Sequence, residues 1–228
     1  MNTALITPFV QTPASVELDT HHGTRDWSDR IALGITRGLR FLADTLFAKR
    51  YGNRAIVLET VAAVPGLVGA ALIHLRCLRW MKHDHGWIRA LMEEAENERM
   101  HLMTFIEIAR PNWLERALVL IAQAGFFTFF LVLYLLSART AHRLVGYFEE
   151  QAVVSYTQYL QEIDSGRVEN VPAPQIARDY WQLPADARLR DVVLAVRADE
   201  AGHRDVNHDF ADQLRPAQGR FALGRGGQ

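Results

Sequence analysis

The chain has 228 residues, 49% of them hydrophobic, with 25 basic and 26 acidic side chains and a formal net charge of −1. That length suits one domain with a substantial core, and the balanced charge excludes the strongly basic surface of a nucleic-acid binder. A single cysteine, Cys77, excludes an intramolecular disulfide framework and reads as a small buried hydrophobe.

Residues 1–26 are expected to form a flexible lead-in. They lack a basic stretch ahead of an apolar run and carry Glu17 and Asp19, acids that a mitochondrial transit peptide avoids. The domain is expected to span 27–215. Its first helix starts near Trp27, where Trp27, Ile31, Ile35, Leu39, Leu42 and Leu46 recur every three or four residues among Arg30, Arg37, Arg40, Lys49 and Arg50. Such a basic amphipathic helix is either an ordinary surface helix on the core or one lying in a membrane interface.

A second helix is predicted from about Arg54 to Lys82. Its apolar run LETVAAVPGLVGAALIHL holds one acid, Glu59, which is costly to bury without a cation or a metal. Pro65 is expected to kink this helix or open a bulge in it rather than end it. His83, Asp84 and His85 fall in a polar turn and read as solvated. The third helix, Trp87 to Ala109, carries Glu98 and His101, and Glu94, Glu98, His101 and Phe105 share one face.

Pro111 stops that pattern, and Asn112 with Glu115 gives a capping-box start to a fourth helix. From Ala117 to Ala138 it is almost wholly apolar and long enough to cross a bilayer. As a lone span, however, it would put Glu98 and His101 on one side and every later acid on the other. The expected placement is therefore along one leaflet, with 27–50 and 113–138 as the interfacial segments.

The fifth helix, Thr140 to Ile163, offers Glu149 or Glu150. Glu149 shares its face with His142, Val145, Ala152 and Tyr156, and Glu150 with Tyr147, Val154 and Thr157. Glu149 is the choice, because its stripe brings a histidine and a phenol along. After a loop marked by Gly166, Pro172 and Pro174, Tyr180 and Trp181 are expected to cover one end of the bundle. The last helix is predicted to begin after Pro184, capped by Asp186, and to end before Pro216. It carries Glu200 and His203. His208 lies about 80° around the helix from Glu200 and is expected outside their site. Residues 216–228 read as a frayed tail.

Glu98-x-x-His101 and Glu200-x-x-His203 each put a carboxylate and an imidazole on one helix face, and no other Glu-x-x-His occurs in the chain. With Glu59 and Glu149 they complete the donor set of a four-helix carboxylate site for two metals. Oxygen-rich ligation with one His per metal suits iron, with manganese the main competitor. The expected fold is all-α: a ferritin-like four-helix bundle carrying a di-iron site, with two further amphipathic or apolar helices for the membrane interface.

At these residues the sequence resembles a known family. LETVAAVPG, EEAENERMHLMTF, AHRLVGYFEEQA and RADEAGHRDVNH are similar to the signature segments of the alternative oxidases, the cyanide-insensitive ubiquinol oxidases of mitochondria and some bacteria. The resemblance runs from about Leu39 to Phe210. It implies two non-haem irons per chain on Glu59, Glu98, His101, Glu149, Glu200 and His203, and a homodimer bound to one leaflet. It further implies a redox-active Tyr156 and a quinol pocket at Arg40, Asp44, Arg54, Leu58, Ala152 and Ser155. Asn97, His142 and Asp199 match residues that support the ligands. Gln151 departs from the motif, which usually has a third Glu there, as do Phe148, where it has Leu, and Gly202, where it has His. The implied reaction is four-electron reduction of oxygen to water by two quinols. A bacterial inner membrane is the expected location, or the mitochondrial one for a processed chain. The rivals are a di-iron hydroxylase of a lipophilic substrate and a ferritin-like iron store.

Overall fold

The computed structural model describes residues 17–47 and 51–215. The expected C-terminal tail, 216–228, and residues 1–16 of the lead-in lie outside that range. Seven helices follow one another and no strand occurs among the described residues: α1 (Trp27–Phe47), α2 (Tyr51–Trp80), α3 (Trp87–Ala109), α4 (Trp113–Leu136), α5 (Ala138–Asp164), α6 (Gln175–Trp181) and α7 (Leu189–Gln213).

Four of them, α2, α3, α5 and α7, form the bundle. The pairs α2 with α3 and α5 with α7 pack most extensively, while α4 lies on α2 and α1 on α5. Both pairs depend on a glycine at the crossing. A side chain at Gly66 would collide with the Leu91 carbonyl and Ala95, and one at Gly146 would meet the His208 ring at 2.5 Å. The helix α2 continues unbroken through Pro65.

The apolar core falls into separate clusters. One, at the α6 end, gathers Ile56, Phe105, Tyr156, Leu160, Trp181, Val193 and Val196. The others, toward the opposite end, contain Val64, Val68 and Val145, or Leu91 and Phe210. On each of the four bundle helices the proposed ligands lie between residues of the first cluster and residues of the others. Burying side chains of this kind contributes about 1.5–3 kcal/mol each, which holds a polar layer closed between two apolar ends.

Local signals account for most helix ends. The Ser137 hydroxyl accepts from the Thr140 amide and starts α5, so the apolar helix ends at Leu136, two residues before the expected Ala138. The start of α7 differs from expectation. Arg188, not Asp186, occupies the cap, and the Asp191 carboxylate accepts from the Arg188 amide at 2.9 Å. Residues 172–173 and 187–189 hold the connection in place, with the Leu189 amide donating to the Val171 carbonyl at 2.8 Å.

The apolar stripe of α1 faces outward. Trp27, Ile31, Leu39, Phe41 and Leu42 are exposed, whereas Ala32 and Thr36 turn inward. Much of α4 is exposed too, including Leu120, Ile121, Val132, Leu135 and Leu136. Among the described residues two segments, Leu58–Trp80 and Val119–Leu136, are long and apolar enough to cross a membrane.

Candidate metal centre

Each bundle helix delivers its acid to one place. Glu59 from α2, Glu98 and His101 from α3, Glu149 from α5 and Glu200 from α7 are all buried, and His203 from α7 is nearly so. They form two overlapping groups, one of Glu59, Glu98, His101 and Glu200 and one of Glu98, Glu149, Glu200 and His203. Within each group the donor atoms lie within 4.8 Å of one another. Glu98 and Glu200 belong to both. The i, i+3 spacing therefore does what helix geometry requires, placing each carboxylate between the two imidazoles.

The distances are even around one imidazole. His101 Nδ1 lies 3.3 Å from carboxylate oxygens of Glu59, Glu98 and Glu200. His203 Nδ1 lies 2.7 Å from Glu98 Oε1 and 3.9 Å from Glu200 Oε2. Yet Glu59 Oε2, both Glu98 oxygens, Glu200 Oε2 and both of these Nδ1 atoms lack any partner in hydrogen-bond geometry among the described residues. Buried polar atoms without partners are costly. Their convergence fits a pair of metal ions, for which four carboxylates and two imidazoles are the donor set of a carboxylate-bridged centre.

Electrostatics shows the same crowding. Burial, reinforced by the Glu98 charge, pushes Glu59 up to about 8, and burial with Glu98 and Glu59 does the same to Glu200. Glu149 is driven well above the carboxylate range by burial and by Glu200. Burial opposes ionisation of Glu98 as well, but His101 and His203 overcome it and hold that carboxyl well below its usual value. Burial works to lower His203, but the Glu98 carboxylate 2.7 Å away outweighs it and raises the ring to about 9. Without metal, the site keeps its charge down by retaining protons.

A supporting layer fixes the imidazole of His101. Asp199 Oδ2 gathers three donors: His101 Nε2 at 3.3 Å, Asn97 Nδ2 at 3.0 Å and Trp181 Nε1 at 2.7 Å. With Nε2 committed to Asp199, Nδ1 is left for the cluster. The expected cover at Trp181 is thus also a hydrogen-bond donor to this layer. On the other side, Tyr134 Oη approaches His142 Nε2 at 3.2 Å, and His142 Nδ1 approaches Asn207 Oδ1 at 3.0 Å. Asn207 Nδ2 then donates to Glu94 Oε2 at 2.8 Å. Burial lowers His142 to about 4, so the ring is neutral and its two nitrogens take opposite roles. Sequence reasoning missed Asn207. Glu94, a member of the Glu98 stripe that reads from sequence as solvated or as a support to the ligands, is buried.

Tyr156 Oη donates to Glu59 Oε1 in a short contact, and burial with the Glu59 charge keeps the phenol protonated well above its ordinary range. Both residues line a cavity of about 580 Å³ that opens between α1, α2, α4 and α5. Its walls are largely aliphatic and aromatic, and its inner end reaches Glu59, Glu149, Tyr156 and Glu200. Among the residues expected at a quinol pocket, Arg40, Leu58, Ala152 and Ser155 line it. Asp44 stands behind, 3.2 Å from Arg40 Nε. Arg54 belongs to α2, but its side chain lies outside the described residues. Phe148 lines the cavity, whereas Gly202 is buried on α7.

The remaining histidines lie elsewhere. His83 and His85 have ring centres 6.5 Å apart and join neither donor group. His208 faces Glu150, at 3.0 Å, on the far side of α5.

The family model described as "Alternative oxidase" matches residues 11–212. Among curated relatives, "Alternative oxidase 3, mitochondrial" from Glycine max is 57% identical over 198 residues, covering 87% of this chain and 61% of the relative. "Ubiquinol oxidase 2, mitochondrial" from Nicotiana tabacum is 58% identical, over 87% of this chain and 67% of the relative. "Ubiquinol oxidase 1a, mitochondrial" from Arabidopsis thaliana is 58% identical, over 87% and 56% respectively. The chain thus spans roughly three fifths of the length of these relatives.

Proposed function

The chain belongs to the alternative oxidase family, and we propose that it is a ubiquinol oxidase that couples oxidation of two ubiquinols to reduction of oxygen to two waters. The observation that carries this reading is the continuity of the apolar cavity with the carboxylate and imidazole cluster. A lipophilic ring can reach the cluster in which buried carboxylate oxygens and imidazole nitrogens are left unpaired.

In this reading Glu59, Glu98, His101, Glu149, Glu200 and His203 would hold two non-haem irons. The irons supply the electron-transfer and oxygen-reducing chemistry. The protein contributes geometry and dryness. Asp199, with Asn97 and Trp181 beside it, fixes His101, and His142 holds Asn207 against Glu94. Arg40, Asp44 and Arg54 take the polar head of the quinol, while Leu58, Ala152 and Ser155 shape the slot. Tyr156, bonded to Glu59 and facing the cavity, stands between substrate and ligand shell, where its phenol can relay a proton and an electron. The apolar walls exclude water from the charges inside.

Residues 27–215 act as one catalytic domain. The outward stripe of α1 and the exposed face of α4 lie in one leaflet of an inner membrane, where a quinol tail enters the cavity laterally. This placement keeps Glu59 in the bundle rather than at membrane depth. The relatives are named mitochondrial, which favours the mitochondrial inner membrane for this chain as well. The working form is a homodimer, as the family resemblance implies.

Isotopically labelled oxygen tests the reaction. Label should appear in water, with unlabelled quinone as the organic product. Label in an organic product would instead identify a di-iron hydroxylase of a lipophilic substrate.

A further inference from the structure

Gln151 follows Glu149 by two residues on α5 and lies at the wall of the cavity, partly exposed. It is bound to α1 through one guanidinium. Arg40 Nη1 donates to Gln151 Oε1 at 2.9 Å and to the Gln151 carbonyl at 3.2 Å, while Arg40 Nε donates to Asp44 at 3.2 Å. A guanidinium has donors and no acceptor, so the amide of Gln151 must turn its oxygen toward Arg40. The contact therefore settles an orientation that heavy-atom positions alone leave ambiguous.

The consequence lies at the other end of the amide. Nε2 is the free terminus, and among the described residues nothing accepts from it. Nearby polar groups are already engaged: the Ser155 hydroxyl donates to the Gln151 carbonyl at 2.8 Å, and the Thr36 hydroxyl to the Ala32 carbonyl at 3.0 Å. A fixed N–H donor beside an apolar slot orients a ligand more than it adds bulk affinity.

We propose that Gln151 is a substrate-binding and specificity residue whose Nε2 donates to a ring oxygen of the quinone head group, with Arg40 holding the amide in the donating orientation. The inference rests on the quinol reading of this cavity and deepens it. A quinone carbonyl only accepts, whereas a quinol hydroxyl both donates and accepts. A carboxylate at position 151 keeps the bond from Arg40 but replaces the donor with an acceptor. It therefore disfavours quinone selectively. A leucine removes both functions.

The test is equilibrium binding of a short-chain ubiquinone to the iron-loaded full chain in detergent micelles, beside the KM for the matching quinol, in wild type, Gln151→Glu and Gln151→Leu. Gln151→Glu should raise the quinone Kd about tenfold, the effect of one lost hydrogen bond, and change the quinol KM by less than about twofold. Gln151→Leu should weaken both by about tenfold, with iron content and kcat near wild type. An unchanged quinone Kd in Gln151→Glu overturns the proposal, even where Gln151→Leu binds weakly, because the residue then only anchors Arg40. An unchanged Kd in Gln151→Leu overturns it as well. Wild-type protein that binds no ubiquinone removes the quinol reading itself, a result distinct from either.

Discussion

Glu149 and Glu150 are neighbours on α5 and point about 100° apart around it. Glu149 points into the bundle, where burial and Glu200 drive its carboxyl well above the ordinary range. Glu150, equally buried, turns toward the segment before α1 and His208 of α7. His21 Nδ1 lies 2.5 Å from one of its oxygens, and the His22 amide and His208 Nε2 lie 2.8 and 3.0 Å from the other. Its burial works to raise the carboxyl, but these partners, His208 foremost, bring it below the usual value. The same contrast holds on α7. His203 Nδ1 has no partner in hydrogen-bond geometry, while the next residue, Arg204, is buried and donates to the carbonyls of Glu17 and Leu18. On the outer face residues 17–22 supply the partners of Glu150 and Arg204. On the inner face it brings like charges together and leaves them incomplete, an arrangement that costs stability unless metal is bound.

The largest effect expected from breaking this contrast is at Glu149. Glu149→Ala should eliminate stoichiometric iron and lower turnover by more than about 100-fold, the upper range for loss of a partner outside the ligand shell. Iron analysis with oxygen uptake checks it, and full iron with normal turnover would remove Glu149 from the ligand set. Tyr156→Phe should keep the iron and lower kcat by about tenfold or more, as loss of one interaction formed in the transition state does. An unchanged kcat would leave Tyr156 a packing residue.

Glu150→Ala separates the two faces. It should retain iron and activity at 25 °C, yet lower unfolding stability by about 2 kcal/mol, because three donors lose their acceptor. Loss of iron with stability intact would contradict the division between the faces.

The smallest effect is in the pH dependence, where the two faces carry opposite signs. Glu59 and Glu200, raised to about 8, bind protons more tightly in the folded metal-free chain than in the unfolded chain. Their contribution to stability is complete below the unfolded carboxylate value and is lost as pH rises through 8. Glu150, with its lowered value, contributes above that unfolded value and loses the contribution as pH falls. Metal-free protein should therefore lose at least roughly 2–4 °C of Tm between pH 6 and pH 8, the shift that about 1 kcal/mol produces in a chain of this size. Iron takes the place of the protons and should cancel that loss. A metal-free Tm that rises over this interval would contradict the assignment.

The inner face was the legible one. Glu98 with His101 and Glu200 with His203 announce themselves by i, i+3 spacing, and Glu59 by being the lone acid in an apolar helix. The choice of Glu149 over Glu150 used the same periodicity. The outer face follows no period. Residues 17–26 are irregular, and nothing in their composition indicates that Arg204, almost two hundred positions later, would anchor to the carbonyls of Glu17 and Leu18. The Arg188 cap was hidden for a related reason, since an arginine is not a residue that starts helices by side-chain preference. The bond between Arg40 and Gln151 joins residues 111 positions apart, and only the packing of α1 on α5 brings them together. The stripe on α1 was read correctly as amphipathic. Its outward direction depends on Ala32 and Thr36 giving α5 a close approach on the other side.

The most direct test of the account is oxygen uptake by membranes carrying this protein, with a short-chain ubiquinol supplied and cyanide present to silence haem–copper oxidases. The account expects uptake that persists in cyanide and disappears in Glu98→Ala, whose carboxylate belongs to both donor groups. No uptake by folded, iron-loaded protein, or undiminished uptake by Glu98→Ala, would contradict it.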